Sequence, residues 1–286
     1  MYDLKYSNVK YTDERALFSS KNVWVDNCSF SIGESPLKES SNVKVTQSVF
    51  RYKYPLWYCK DVVVDYTRFE KEARSGVWYT ENISIRNSII LAPKTFRKSK
   101  KIVLDHVNLP FASETLWECE DIKLVNVKAR GDYLGMNSTK VEVDGLYLEG
   151  NYLFDGGRDI SVRNSTLYSK DAFWNCENVT IINSTIIGEY IGWNSKNVTF
   201  INCVIESHQG FCYMKNVKLI NCKVINSDLT FEYSEDINAD IINVVESIKN
   251  PTSGYIKCKD VKHLILDELY VSRNKIKVMV DDNGKI

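Results

Sequence analysis

The chain has 286 residues, 37 Lys+Arg against 37 Asp+Glu, and 44% hydrophobic residues. That supplies a large core, and zero formal charge argues against a nucleic-acid partner, which needs a basic field. No apolar run approaches the ~20 residues that span a bilayer, and the opening "MYDLKYSNVKYTDERALF" has no apolar signal region. No membrane partner is therefore expected, and the expected location is cytoplasmic.

Residues 1–16 carry no clear repeat and read as an N-terminal cap. From there one phrase recurs: a polar residue, an aliphatic, any residue, an aliphatic, any residue, then often Asn. It reads "NVWVDN" at 22, "NVKVTQ" at 42, "DVVVDY" at 61, "NISIRN" at 82, "KIVLDH" at 101 and "DIKLVN" at 121. It continues as "KVEVDG" at 140, "DISVRN" at 159, "NVTIIN" at 178, "NVTFIN" at 197 and "NVKLIN" at 216, with weaker copies at Asp236 and Asp260. The first aliphatic of each copy, from Val23 to Val261, is the anchor. Residues 264–286 break the period and read as a C-terminal cap.

Alternation of apolar and polar residues makes each phrase a strand with one face buried. A short strand every 19–20 residues, without helical stretches between, is the signature of a parallel β-solenoid. Parallel crossovers are overwhelmingly right-handed. The expectation is one all-β domain over 1–286, a right-handed parallel β-helix of about 13 coils with the coils spanning 17–263. Seven residues after the anchor an apolar column runs from Phe30 to Val224, and six before it another runs from Leu17 to Phe231. With the anchors these give three apolar stripes lining one core.

Four after the anchor stand Asn27, Gln47, Asn87, Asn126, Asn164, Asn183, Asn202 and Asn221, an amide ladder that bonds coil to coil. Seven of the eight cysteines fall in two columns shared with Ser and Thr, so they read as packed, reduced thiols. There is no Cys-x-x-Cys and no Cys/His cluster, so neither metal nor cofactor is expected.

Five before the anchor stand Trp57, Trp78, Trp117, Trp174 and Trp193, with Phe18, Lys38 and Arg97 in the same column. Successive residues of a strand point to opposite faces, so this column faces outward if its neighbour faces the core. Exposed Trp interspersed with cations suit stacking on sugar rings, while the plainer reading packs them as partly buried rings. Eight or nine before the anchor runs a charged loop column that includes Glu114, Asp132, Asp171, Glu189 and His208. Carboxylates one coil apart raise one pKa and supply an acid or base, and Glu189 shares its column with His208. The plainer reading is a row of charges stapling coil to coil. Ile182, Ile201 and Ile220 form an outward apolar strip, expected to lie under the C-terminal segment, with another subunit as the alternative cover.

The phrase "NVTIINSTI" with its Asn ladder resembles the right-handed parallel β-helix of the pectin-lyase-like superfamily. More closely, segments such as "GESPLK" at 33, "YPLWY" at 54, "APKTFR" at 92, "GDYLGMNS" at 131 and "GEYIGWNSKN" at 188 resemble an uncharacterised bacterial domain family of that fold. The superfamily implies polysaccharide lyases, hydrolases and esterases. Their "NTD", "GHG" and "RIK" motifs are missing, and the one "DD", Asp281-Asp282, is in the tail. Two functions follow. The first is a non-catalytic module or scaffold binding carbohydrate or protein. The second is a carbohydrate-active enzyme, a lyase or hydrolase, with an acid/base pair in the loop column. The sequence leaves oligomeric state open.

Overall fold

The computed structural model describes residues 2–269, 271–280 and 284–285. The described residues contain no helix, and so none long or apolar enough to cross a membrane; this says nothing of strands. The protein is a parallel β-solenoid of about 15 turns. It divides into two compact units, Met1–Leu148 and Glu149–Ile286.

In the first unit the anchor strands stack in parallel register: Val23 on Val43, then Val62, Ile83, Ile102, Ile122 and Val141. Shorter strands such as Ser29–Phe30, Val49–Phe50 and Arg68–Phe69 build a second wall. Val77–Trp78 and Phe96–Arg97 begin a third. The second unit repeats the plan, with Ile160, Val179, Val198 and Val217 in register. The expected stripes are buried throughout. One of them is a column of rings, with Phe30 4.9 Å from both Tyr11 and Phe50, and Phe50 5.0 Å from Phe69.

The corners explain the repeat length. Four positions recur in the left-handed region along the coils: one before the anchor, four after it, four before it and eight before it; from Leu116 to Phe231 a fifth, six before the anchor, joins them. Non-Gly residues rarely adopt positive φ, and Asn tolerates it best. The Asn columns are therefore first a backbone device. Their amides then link coils, as Asn202 to Asn183 at 3.2 Å and Asn221 to Asn202 at 2.8 Å. A second ladder, unforeseen, stands one before the anchor: Asn42 to Asn22 at 2.8 Å, Asn197 to Asn178 at 3.0 Å and Asn216 to Asn197 at 2.9 Å. Apart from the part-buried Asn42–Asn22 bond, they lie on exposed corners.

The small-residue column three before the anchor has an equally local cause. Most of its hydroxyls and thiols donate to the carbonyl of the core residue one coil back: Thr80 to Leu56 at 2.6 Å, Ser138 to Leu116 at 2.6 Å, Cys59 to Leu37 at 3.0 Å; Cys119 instead donates to Trp117 of its own coil at 3.3 Å. All eight cysteines are buried free thiols.

Four expectations need correction. Residues 1–16 are not only a cap, because Leu4–Ser7 pairs in register with Lys21–Asp26 and Lys10–Tyr11 with Ser29–Phe30. At the other end Ile276–Val280 pairs with Gly254–Cys258, so the solenoid continues past residue 263. Val261 is not an anchor; its strand pairs with Val244–Lys249 on another wall, and Gly254 takes the place opposite Ile237. Period-2 alternation marks a strand without saying which wall it joins. Finally, the described C-terminal residues do not bury the Ile strip: Ile182 and Ile201 are half-buried and Ile220 is 47% exposed. Asp281 and Asp282 lie outside the described residues.

Candidate functional site

All five Trp of the outward column, with Lys38 and Arg97, are half-buried. The column does face away from the core, by strand alternation at Val77–Trp78 and Phe96–Arg97 and by turn geometry at Trp57, Trp174 and Trp193, but ring neighbours cover much of it.

In the first unit the column closes on itself. Trp57 and Trp78 stack at 5.3 Å and 8°, and the Arg97 guanidinium lies 4.7 Å from the ring centres of both Trp78 and Trp117. Each indole N–H donates to the carbonyl of the left-handed corner residue on the next coil: Trp57 to Ser75, Trp78 to Lys94 at 2.9 Å, Trp117 to Tyr133 at 2.7 Å. Tyr58 and Tyr79 stack beside them at 4.8 Å, and Lys38 sits 5.7 Å over Tyr58. Glu114 is held by Lys94 at 2.9 Å and Arg97 at 3.7 Å. Asp132 is exposed, and its carbonyl accepts the Glu114 N–H at 2.9 Å. Glu114 thus anchors the cation that the two Trp rings enclose.

The second unit is arranged differently. Trp174 and Trp193 line a cleft of about 320 Å³ with Tyr152, Lys170, Asp171 and Tyr190. Tyr152 stacks on Trp174 at 6.0 Å, Tyr190 meets Trp193 edge-on at 5.6 Å, and Trp193 leans on Tyr213 at 4.9 Å. The corner position eight before the anchor holds Tyr152, Asp171 and Tyr190 on successive coils. Asp171, between two tyrosine-bearing coils, is only 3% exposed at the cleft wall. Burial, with smaller repulsion from Glu189 and Asp155, holds its carboxyl above the ordinary carboxylate range; Lys170 and a hydrogen bond from Tyr152 pull the other way.

Glu189 is exposed and takes Lys170 at 3.0 Å, beside the ring of Tyr190. His208 is aligned with Glu189 in the strand pairing, but its Nδ1 meets Asp228 Oδ1 at 2.5 Å. The pair drawn from the sequence is therefore replaced by Lys170–Glu189 and His208–Asp228. Long side chains reach along the column to the opposite charge that neutralises them. Tyr152, Lys170, Tyr190 and Asp228 escaped the sequence reading, although the Tyr–Asp–Tyr run at the corner position was legible there. Among the described residues, no group of three or more His, Cys, Asp or Glu is placed to hold a metal.

A family profile described as "Protein of unknown function (DUF3737)" matches residues 4–279. The chain belongs to the DUF3737 family. No curated protein matches the sequence significantly. Among solved structures, the chain is similar to the Streptococcus pneumoniae surface protein and adhesin PfbA, at 10% identity and TM-score 0.33, covering 93% of this chain and 82% of that one. It is also similar to the A-module of the Azotobacter vinelandii mannuronan C-5 epimerase AlgE4, at 10% identity and TM-score 0.28, covering 98% and 88%. A third is tailspike protein 3 of bacteriophage CBA120, at 10% identity and TM-score 0.32, covering 98% of this chain and 56% of that one.

Proposed function

We propose that this protein is a carbohydrate-binding β-solenoid module whose site is the cleft lined by Trp174 and Trp193. The observation that carries this is the open cleft itself: two half-buried indoles on successive coils, two tyrosines, and a buried carboxyl with a neighbouring amine. Apolar sugar faces stack on aromatic rings, and a few placed polar groups fix orientation through hydroxyls. Lys170, Asp171 and the tyrosine hydroxyls supply those groups, and Glu189 and His208 border them.

One feature favours catalysis as a second reading. A carboxyl that keeps its proton above the usual range is what a general acid in glycan cleavage needs, and Asp171 has that environment. The two readings separate in one experiment. Purified protein is screened on a glycan array and, with the hits, for release of shorter sugars. Binding without cleavage supports the module. Cleavage that Asp171→Asn abolishes while binding persists supports the enzyme. No binding to any glycan overturns both.

A further inference from the structure

The closed stack of the first unit shows what two Trp of this column accept. Arg97 stands in the column between Trp78 and Trp117, one coil from each, and its guanidinium lies 4.7 Å from both ring centres. Glu114, eight before the anchor of the Trp117 coil, holds that cation at 3.7 Å. Ring faces attract a positive charge, more strongly as water is excluded. The second unit has the indoles and the carboxyl in the same columns. Asp171 stands at the corner position that Glu114 holds, and it is buried in the cleft wall beside Trp174 and Trp193. These two indoles are one coil apart rather than two. Room comes from the way they part: Trp174 stacks on Tyr152 of the coil before at 6.0 Å, and Trp193 leans on Tyr213 of the coil after at 4.9 Å. The cleft's own amine, Lys170, is drawn to Glu189 at 3.0 Å and to the Tyr190 ring at 5.1 Å. Among the described residues no Lys or Arg lies over Trp174 or Trp193.

Charge around the cleft points the same way. The carboxyls of Asp155, Asp171, Glu189 and Asp228 are set against Lys170 and, when it is protonated, His208. In a partly dry cleft that excess attracts a cation and repels a further carboxylate. We propose that the sugar taken by this cleft carries a free amine, whose ammonium meets Trp174, Trp193 and Asp171 as Arg97 meets Trp78, Trp117 and Glu114. The proposal rests on the carbohydrate-binding reading and narrows it to amino sugars. A neutral sugar face stacks on the rings whatever its substituents. An ammonium adds cation–π attraction and a charge-assisted hydrogen bond to a carboxyl that burial has left short of counter-charge. A uronate chain brings its own carboxylates into a surplus of the same sign.

The test is calorimetric titration of the full chain at low ionic strength and slightly acidic pH, where the sugar amines are charged. Three ligands of equal length are compared: a glucosamine oligomer, its N-acetylated counterpart and a galacturonate oligomer. The glucosamine oligomer should bind about tenfold tighter than the acetylated one, the scale of one charge-assisted contact, and the galacturonate should show no binding. Asp171→Asn should bring the ratio of the first two affinities to near one. Glu114→Gln removes the same charge from the first unit and should keep the ratio. Each ratio is read within one protein, so a change in the folded fraction cancels. The proposal is overturned if the acetylated oligomer or the galacturonate binds as tightly as the glucosamine oligomer, if none of the three binds, or if the preference survives Asp171→Asn. Equal binding, or a surviving preference, leaves the carbohydrate-binding reading standing; a silent glycan array removes that reading too.

Discussion

The outward aromatic column meets two fates in the two units. In Met1–Leu148 the rings satisfy one another, because Arg97 fills the slot between Trp78 and Trp117 and each indole N–H is pinned to a corner carbonyl. In Glu149–Ile286 the same column position holds Trp174 and Trp193, and these pack against tyrosines of the corner columns and leave a cleft. The same residue type at the same repeat position is structural in one unit and available in the other. What decides is the neighbour one coil away.

That contrast is open to attack by mutation. The largest effect on stability is expected from Trp78→Ala, which removes both the stack on Trp57 and a wall of the Arg97 enclosure. Chemical denaturation should show a loss of about 2–3 kcal/mol, below the full cost of emptying a wholly buried site. Trp174→Ala should cost roughly 1 kcal/mol, since it enlarges space already open. Equal losses at the two positions would erase the distinction. Arg97→Ala comes next, at about 1–2 kcal/mol from two lost cation–π contacts, since Glu114 keeps its pair with Lys94.

Asn183→Leu tests the corners. Asn183 sits at φ 50° with an exposed amide, so leucine should cost about 1–2 kcal/mol through backbone strain while Asn183→Gly stays near neutral. Equal losses would return the weight to the amide ladder.

The smallest effect concerns Asp171. Its folded-state pKa is raised, so the folded protein holds that proton more tightly than the unfolded chain does. Its favourable contribution is full below the ordinary carboxyl pKa of about 3.9 and is lost as pH rises through the raised value. Asp171→Asn should therefore raise Tm at neutral pH relative to the parent, with the gap closing near pH 3. A gap that stays constant with pH would show that burial does not perturb the group.

The solenoid was legible in the sequence because burial repeats with the coil: an inward anchor must be apolar each time, and Val23 to Ile237 say so residue by residue. The ends were less legible. Leu4–Ser7 and Ile276–Val280 are coil strands whose flanks do not repeat the phrase. The Trp column was legible as outward-facing. Whether its rings stack on one another could not be read from spacing, because that depends on rotamers and on Arg97 lying between them. Asp171 stood out by position, but its burial depends on neighbours one coil away, Tyr152 among them. The Glu189–His208 pairing failed because column position alone does not rank opposite charges, and Lys170 and Asp228 offered better partners.

The central claim is that the open cleft, and not the closed stack, takes the ligand. The direct measurement is calorimetric titration of one array-selected oligosaccharide against the parent, Trp193→Ala and Trp78→Ala. The account predicts a loss of at least about tenfold in affinity for Trp193→Ala, the scale of one aromatic anchor, and parental affinity for Trp78→Ala. The reverse order, or equal losses in both, would contradict it.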